Sequence, residues 1–453
     1  MTADRSALKN EIVQGLMNAA GEKLPTSSFG RLGRMGFALA RSARMISAGR
    51  KKLKSGEDQE IDIEKVAGVI ASVGRLKGIA MKMGQIMSYI DMAMPDELRD
   101  ALSVLQTHAQ PMPFEKIREL VTAELCEKGT QLLRNMEEIP VSSASIGQVH
   151  KARLPSGANV AVKIQYPEIA RAIEADFGPA AVGTKMASIL YPNARIDDFV
   201  KEARSRFLEE CDYIHEAHCQ NRFAELFEGH DSLVVPAVHR EFCSSKVLTT
   251  TFVDGLEFDA FLKTMPSQEE RNRIGEALFE FYLGSLFRHQ LYNCDPHPGN
   301  YLFLEGGHIA MLDHGCTRQF ETKFVSRLVN LTRAVHRDRR EAIHKALLDL
   351  NIVREGKKYD YNTIHGFLRS FYGPMLVDAV TKVDLSSAME MRDVMKKKIQ
   401  LAKFSLPAEF LFLFRIRFGL MSVLSRLGAM VNWYRLEKRY VEDFSKAHPI
   451  LSG

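Results

Sequence analysis

The segment Asp295-Pro296-His297-Pro298-Gly299-Asn300 sets a carboxylate five residues before a carboxamide, with two prolines and a glycine between them. Prolines fix φ, so this stretch reads as a rigid loop that holds its polar groups in one arrangement. Asp313 follows thirteen residues after Asn300, in Met311-Leu312-Asp313-His314-Gly315. Between them, Tyr301–Phe303 and Ile309–Leu312 flank Gly306-Gly307, which predicts a hairpin bringing Asn300 and Asp313 to one end. A carboxylate and an amide oxygen are hard ligands that suit Mg²⁺. Asp295 is left to orient a hydroxyl or a water. Upstream, Val160-Ala161-Val162-Lys163 puts an ammonium on a predicted strand. Glu216, in Glu210-Cys211-Asp212-Tyr213-Ile214-His215-Glu216-Ala217, is the chosen carboxylate partner for that lysine, with Glu202, Glu209 and Glu210 as rivals. Transfer or hydrolysis of the ATP γ-phosphoryl group needs these parts in this order: a cation on the phosphates, a carboxylate fixing it, a residue facing the nucleophile and metal ligands.

Taken singly, each segment has a plainer reading. Lys163 can be a surface lysine on a hairpin, Glu216 part of an acidic helix face, and Asp295 a structural residue in a proline-rich turn. The combination and its order carry the inference.

The surrounding elements form a consistent frame. Apolar spacing predicts a helix over 6–24, broken at Leu24-Pro25-Thr26-Ser27-Ser28, and a basic helix over 29–48. That basic helix fits either an anionic membrane surface or packing with a solvated charged face. A helical block at 62–92 carries small residues at Ala67, Ala71, Gly74 and Gly78, and a short helix follows at 96–108. Residues 1–110 are thus expected to be a helical N-terminal extension. A helix at 114–126 precedes a strand–turn–strand unit over 146–164, turning at Pro155-Ser156-Gly157. A long helix is expected at 196–224 and strands at Val234-Val235 and Val247–Phe252; the rest is helical apart from 293–313. The expected division is extension 1–110, small α+β lobe 111–252 and helical lobe 253–453.

Composition sets bounds. Of 453 residues, 45% are hydrophobic and 26% charged, ordinary for a globular chain. Residues 1–54 hold eleven Lys/Arg and three acids, about +8, so with a net charge of +5 the rest is about −3. The basic balance belongs to that segment, and no nucleic-acid partner is expected. The six cysteines form no C-x-x-C pair, which argues against zinc and against a disulfide framework and fits a reducing, cytoplasmic setting. No signal peptide is expected. Phe410–Met430 is interrupted by Arg415, Arg417 and Arg426 and reads as a buried helix rather than a membrane span. Cys294 and Cys316 read as packing residues, and His297 and His314 as residues that orient their loops.

Five blocks together resemble the UbiB/AarF family of atypical kinases: Lys82-Met83-Gly84-Gln85, Ala144-Ser145-Ile146-Gly147-Gln148-Val149, Glu210-Cys211-Asp212, the Asp295–Asn300 loop and Asp313-His314-Gly315. The resemblance runs from about residue 60 to about 330, and more loosely to the C-terminus. It implies an α+β, bilobal protein-kinase-like fold with a helical N-terminal extension, binding ATP or ADP with Mg²⁺. It also implies an alanine-rich nucleotide loop, here Ser142-Ser143-Ala144-Ser145, and a gate in which Lys82 and Gln85 meet Glu210 and Asp212 over the site. The implied activity is an ATPase or small-molecule kinase acting on a small-molecule or lipid-linked substrate in coenzyme Q or lipid metabolism. A peripheral membrane contact through the basic segment is expected, and a homodimer is left open. A silent nucleotide-binding scaffold is disfavoured, because every phosphate and metal ligand is present. His297 stands where protein serine/threonine kinases commonly carry Lys, and no A-P-E-like segment follows Gly315, which weakens the protein-kinase reading.

Overall fold

The computed structural model describes residues 112–144, 146–167, 169, 208–356, 358–384 and 408–451. The predicted extension, with Lys82 and Gln85, lies outside these residues, as does Ser145. The chain divides into two compact units. One holds 1–120, 137–150 and 163–211, the other 121–136, 151–162 and 212–453.

Helix α1, Phe114–Leu133, extends past the predicted 126, but Cys126 adopts φ 51° and kinks it there. In the first unit, β1 (Ser142–Ala144) lies antiparallel to the start of β2 (Gly147–Arg153), with Ser142 opposite Val149 and Ala144 opposite Gly147. Strand β3 (Asn159–Gln165) shows the expected alternation. Val160, Val162 and Ile164 are wholly buried, while Ala161 and Lys163 are half-buried. The sheet order is β1-β2-β3-β5, with β5 at Val247–Thr251.

A buried polar relay fastens the first unit. Gln148 accepts the Met112 N–H at 2.7 Å through Oε1, and its Nε2 lies 2.8 Å from His150 Nε2. His150 Nδ1 lies 2.8 Å from the Glu137 carbonyl, which only accepts, so Nδ1 carries the proton and Nε2 accepts from Gln148. Burial holds the His150 pKa below its ordinary 6.5, against the opposing hydrogen bond to Glu137. A depressed histidine contributes full stability above its unfolded pKa and loses it as pH falls from there through the folded value. Urea midpoints measured from pH 7.5 to 5.5 should therefore decline, and His150→Phe should flatten that part of the decline.

The second unit holds the large core. The predicted helix 196–224 is interrupted: 208–210 are helical, then the Asp212 side chain accepts from Ile214 N (3.0 Å) and His215 N (3.1 Å) and starts a new helix, α2, Tyr213–Leu226. An N-cap aspartate satisfies backbone donors that a continuous helix would have bonded to its preceding turn. Strand β4 (Leu233–Val234) pairs in parallel with β8 (His308–Met311), which pairs antiparallel with β7 (Tyr301–Leu304). Strand β6 (Leu291–Asn293) pairs antiparallel with β9 (Thr317–Gln319).

Helices build the rest of this unit: α3 (Phe258–Lys263), α4 (Gln268–Phe279), a π turn (Glu280–Gly284), α5 (Ser285–His289), α6 (Thr322–His336), α7 (Arg340–Asp349), α8 (Tyr361–Tyr372), α9 (Ala408–Leu427) and α10 (Trp433–Ala447). Phe279, Phe281, Phe287, Tyr372, Trp433 and Tyr440 are among the fully buried side chains of the core. Helix α9 covers the arginine-interrupted apolar run. Arg417 is buried, paired with the wholly buried Glu437 of α10, and set over the rings of Phe371 and Tyr372 on α8. No helix among the described residues is long and apolar enough to cross a membrane.

Candidate functional site

The hairpin forms as its sequence predicts. Tyr301 pairs with Met311 and Leu304 with His308, and the turn runs through Gly306 and Gly307 at φ 74° and 77°, values that favour glycine. One residue beyond the ladder, Leu312 N donates to the Asn300 carbonyl at 2.9 Å. Asn300 and Asp313 therefore emerge together at the same end of β7 and β8.

The loop before Asn300 is closed on itself. Asn300 Nδ2 donates to Asp295 Oδ2 and to the Asp295 carbonyl, both at 3.0 Å. With the amide nitrogen so committed, Oδ1 is the atom left to ligate a cation. The Asp295 carbonyl also accepts His297 N at 2.8 Å and the Tyr282 hydroxyl at 3.2 Å. Tyr282 comes from the π turn, a local widening of the helix that recurs at functional sites. Burial, then the neighbouring Tyr301 and the Asp295 charge, push the Tyr282 phenol well above its ordinary range, so it stays a donor. Asn293 ties the two chemical segments together: its Oδ1 accepts Asp295 N at 2.9 Å and its Nδ2 donates to the Asp313 carbonyl at 2.8 Å. His297 Nδ1 accepts Gly299 N at 3.0 Å, the loop-orienting part expected of it.

Asp313 Oδ1 accepts Gly315 N at 3.0 Å, which sets the carboxylate by its own following turn. A Cβ on Gly315 would stand 3.5 Å from that same oxygen and 3.4 Å from Glu216 Oε2. The structure thus brings Glu216, from the first turn of α2 and only 2% exposed, beside the Asp313 turn. His314 is wholly buried; its Nε2 donates to the Met311 carbonyl at 3.2 Å, and its ring lies 5.2 Å from Phe223 on α2 and 6.0 Å from Phe281. It occupies the position of the phenylalanine in a D-F-G segment and packs as an aromatic there. Cys294 is buried with its N–H bonded to the Cys316 carbonyl, in keeping with a packing role.

The remaining candidates are placed as follows. Lys163 sits half-buried on β3, in the unit that contains 163–211. Ala144 ends β1, Glu210 is half-buried in the helical turn before Cys211, and Asp212 is exposed and caps α2. Sequence reasoning missed Asn293 and Tyr282. The Asn293 role has a local signal, an amide two residues before Asp295; the Tyr282 role has none, since it depends on the π turn.

The donor set fits Mg²⁺. Asp313 and the Asn300 amide oxygen are hard oxygen ligands, and Mg²⁺ is ordinarily held by one or two carboxylates with substrate phosphates rather than by an all-protein cage. Among the described residues no cluster of three or more His, Cys, Asp or Glu could hold a metal by itself, as that mode of binding requires none.

Comparison with known proteins places the chain in a family. The ABC1 atypical kinase-like domain matches residues 104–347. The chain is 32% identical over 271 residues to the mitochondrial atypical kinase COQ8 of Saccharomyces cerevisiae, covering 59% of this chain and 54% of that protein. It is 31% identical over 291 residues to the probable serine/threonine-protein kinase abkA of Dictyostelium discoideum, covering 61% and 51%. It is 28% identical over 350 residues to the mitochondrial atypical kinase COQ8B of Danio rerio, covering 74% and 55%. The chain spans about half the length of these curated relatives. A solved Mycobacterium tuberculosis protein, in complex with erythromycin, matches with a TM-score of 0.61 at 26% identity, over 89% of this chain and 98% of that one. The α+β kinase-like fold and the family expected from the sequence are both met, and the chain belongs to the ABC1 atypical kinase-like family that includes the UbiB proteins.

Proposed function

We propose that the chain binds Mg-ATP and acts as an ATPase supporting ubiquinone or other lipid metabolism at a membrane surface. The observation that carries the reading is the hairpin that sets Asn300 and Asp313 at one end, with Asp295 bonded to Asn300. A Mg²⁺ ion held here would supply positive charge against the phosphates. Asn300 Oδ1 and the Asp313 carboxylate would hold that ion, while Lys163, fixed by Glu216, would take the α- and β-phosphates. Asp295 would orient the attacking water, and Lys82, Gln85, Glu210 and Asp212 would gate the site. The coenzyme Q link rests on the family resemblance and on relatives named as COQ8 atypical kinases. The membrane contact rests on the basic segment 1–54.

The test is phosphate release from Mg-ATP, with and without anionic liposomes. Positioned acid–base groups contribute about 10²–10⁴-fold. Asp295→Asn should therefore lower release at least about 100-fold while leaving Mg-nucleotide binding in place. Release unchanged in Asp295→Asn would remove the residue from the chemistry. A small-molecule kinase is the second reading, favoured by His297 in place of the lysine of protein kinases. Phosphate appearing on an added hydroxyl acceptor rather than in water would select it.

A further inference from the structure

The catalytic loop rests on a helix more than a hundred residues away in sequence. A Cβ built on Gly419 of α9 would stand 2.5 Å from Pro296 Cγ and 3.5 Å from both Pro296 Cβ and Cδ. Real Cβ atoms essentially never approach another heavy atom so closely, so the helix backbone meets the proline ring with no room for a side chain. Pro296 is buried and directly follows Asp295. Helix α9 cannot readily shift or turn to relieve a clash. Two residues before Gly419, Arg417 is paired with buried Glu437 and stacked on Phe371 and Tyr372, and Phe418 lies 6.3 Å edge-on to Phe371. Glu437 is held in turn by His336 of α6 at 2.9 Å.

We propose that Gly419 is a positioning residue for the reaction. In this account α9 is a fixed backstop whose missing side chain sets the depth of Pro296, and through it the placement of Asp295. The inference rests on the reading of Asp295 as the residue facing the nucleophile. A glycine in mid-helix is otherwise costly, since alanine is the better helix former. Away from such a contact, Gly419→Ala should stabilise α9. Here it should push Pro296 outward by about 1 Å, and a misplacement of that size can lower a rate by about 10²-fold. Pro296→Ala removes Cγ and Cδ and leaves only the atom at ordinary contact distance.

The experiment compares wild type, Gly419→Ala, Pro296→Ala and the double variant in the full chain, with Asp295→Asn as control. Phosphate release from Mg-ATP gives kcat and KM, and hydrogen–deuterium exchange reports on Gly299 and Asn300, whose amides bond to His297. The proposal predicts that Gly419→Ala lowers kcat about 10- to 100-fold, leaves KM for ATP near its wild-type value and speeds exchange across 295–300. The double variant should recover kcat and slow exchange relative to Gly419→Ala alone. Exchange in Gly419→Ala equal to wild type, or a double variant no better than the single one, overturns it. If Asp295→Asn leaves release unchanged, the reading of Asp295 fails, and the exchange data still decide whether α9 positions the loop. If Gly419→Ala does not fold, recovery of folding in the double variant supports the contact and its absence overturns it.

Discussion

Asp313→Asn is expected to abolish Mg-dependent nucleotide binding. The substitution is nearly isosteric, and an asparagine Oδ1 can still accept Gly315 N, so the turn that sets the side chain persists. What is lost is the negative charge. With Asn300 neutral, Asp313 is the carboxylate that the proposed ligand set supplies, and Mg²⁺ sheds its water reluctantly for a neutral oxygen. Even residues that only orient metal ligands are worth about 10–100-fold in affinity, so losing a charged ligand should lower Mg-ATP affinity by about 100-fold or more. Calorimetric titration of the variant checks this. Unchanged Mg-ATP affinity would remove Asp313 from the ligand set.

Arg417→Met should be the most destabilising change outside the site. Arg417 is 4% exposed and Glu437 wholly buried. Burial acts to raise the Glu437 pKa, but the Arg417 charge and the His336 hydrogen bond outweigh it and hold the carboxyl below its ordinary 4.5. Removing the guanidinium leaves that carboxylate in the core with His336 alone. Breaking a buried pair from one side costs about 3–5 kcal/mol. Methionine keeps the apolar stem packed against Phe371 and Tyr372, so the loss should report on charge rather than on a cavity. A depressed carboxylate gives stability that is present above the unfolded pKa and lost as pH falls through the folded one. Wild type should therefore lose this contribution on acidification below about pH 4.5, and the variant should lack that part of its acid sensitivity. Urea midpoints at pH 7 and at pH 4 measure both effects; a variant as stable as wild type at pH 7 would show that the pair is not needed.

The parts of the site legible in the sequence were those with local signals. Gly306-Gly307 between two apolar runs fixed the hairpin, and the hairpin fixed which end Asn300 and Asp313 share. The alternation of Val160, Val162 and Ile164 placed Lys163 on the opposite face of β3. Helix ends were less legible. A continuous 196–224 helix missed the competition in which the Asp212 side chain captures two backbone donors, although an aspartate just before an apolar helical run is a recognisable cap. Contacts that depend on tertiary packing left no local trace. His314 between Phe223 and Phe281, Tyr282 on its π turn, and Gly419 under Pro296 each join segments that sequence spacing cannot relate.

The 295–315 segment is assigned as a Mg-nucleotide site, and one measurement tests that assignment most directly: calorimetric titration of ATP into the full chain in excess Mg²⁺, repeated in excess EDTA. Binding in Mg²⁺ that is lost in EDTA is the predicted result. No heat of binding in Mg²⁺, or the same affinity in both buffers, would contradict the assignment of Asn300 and Asp313 as metal ligands.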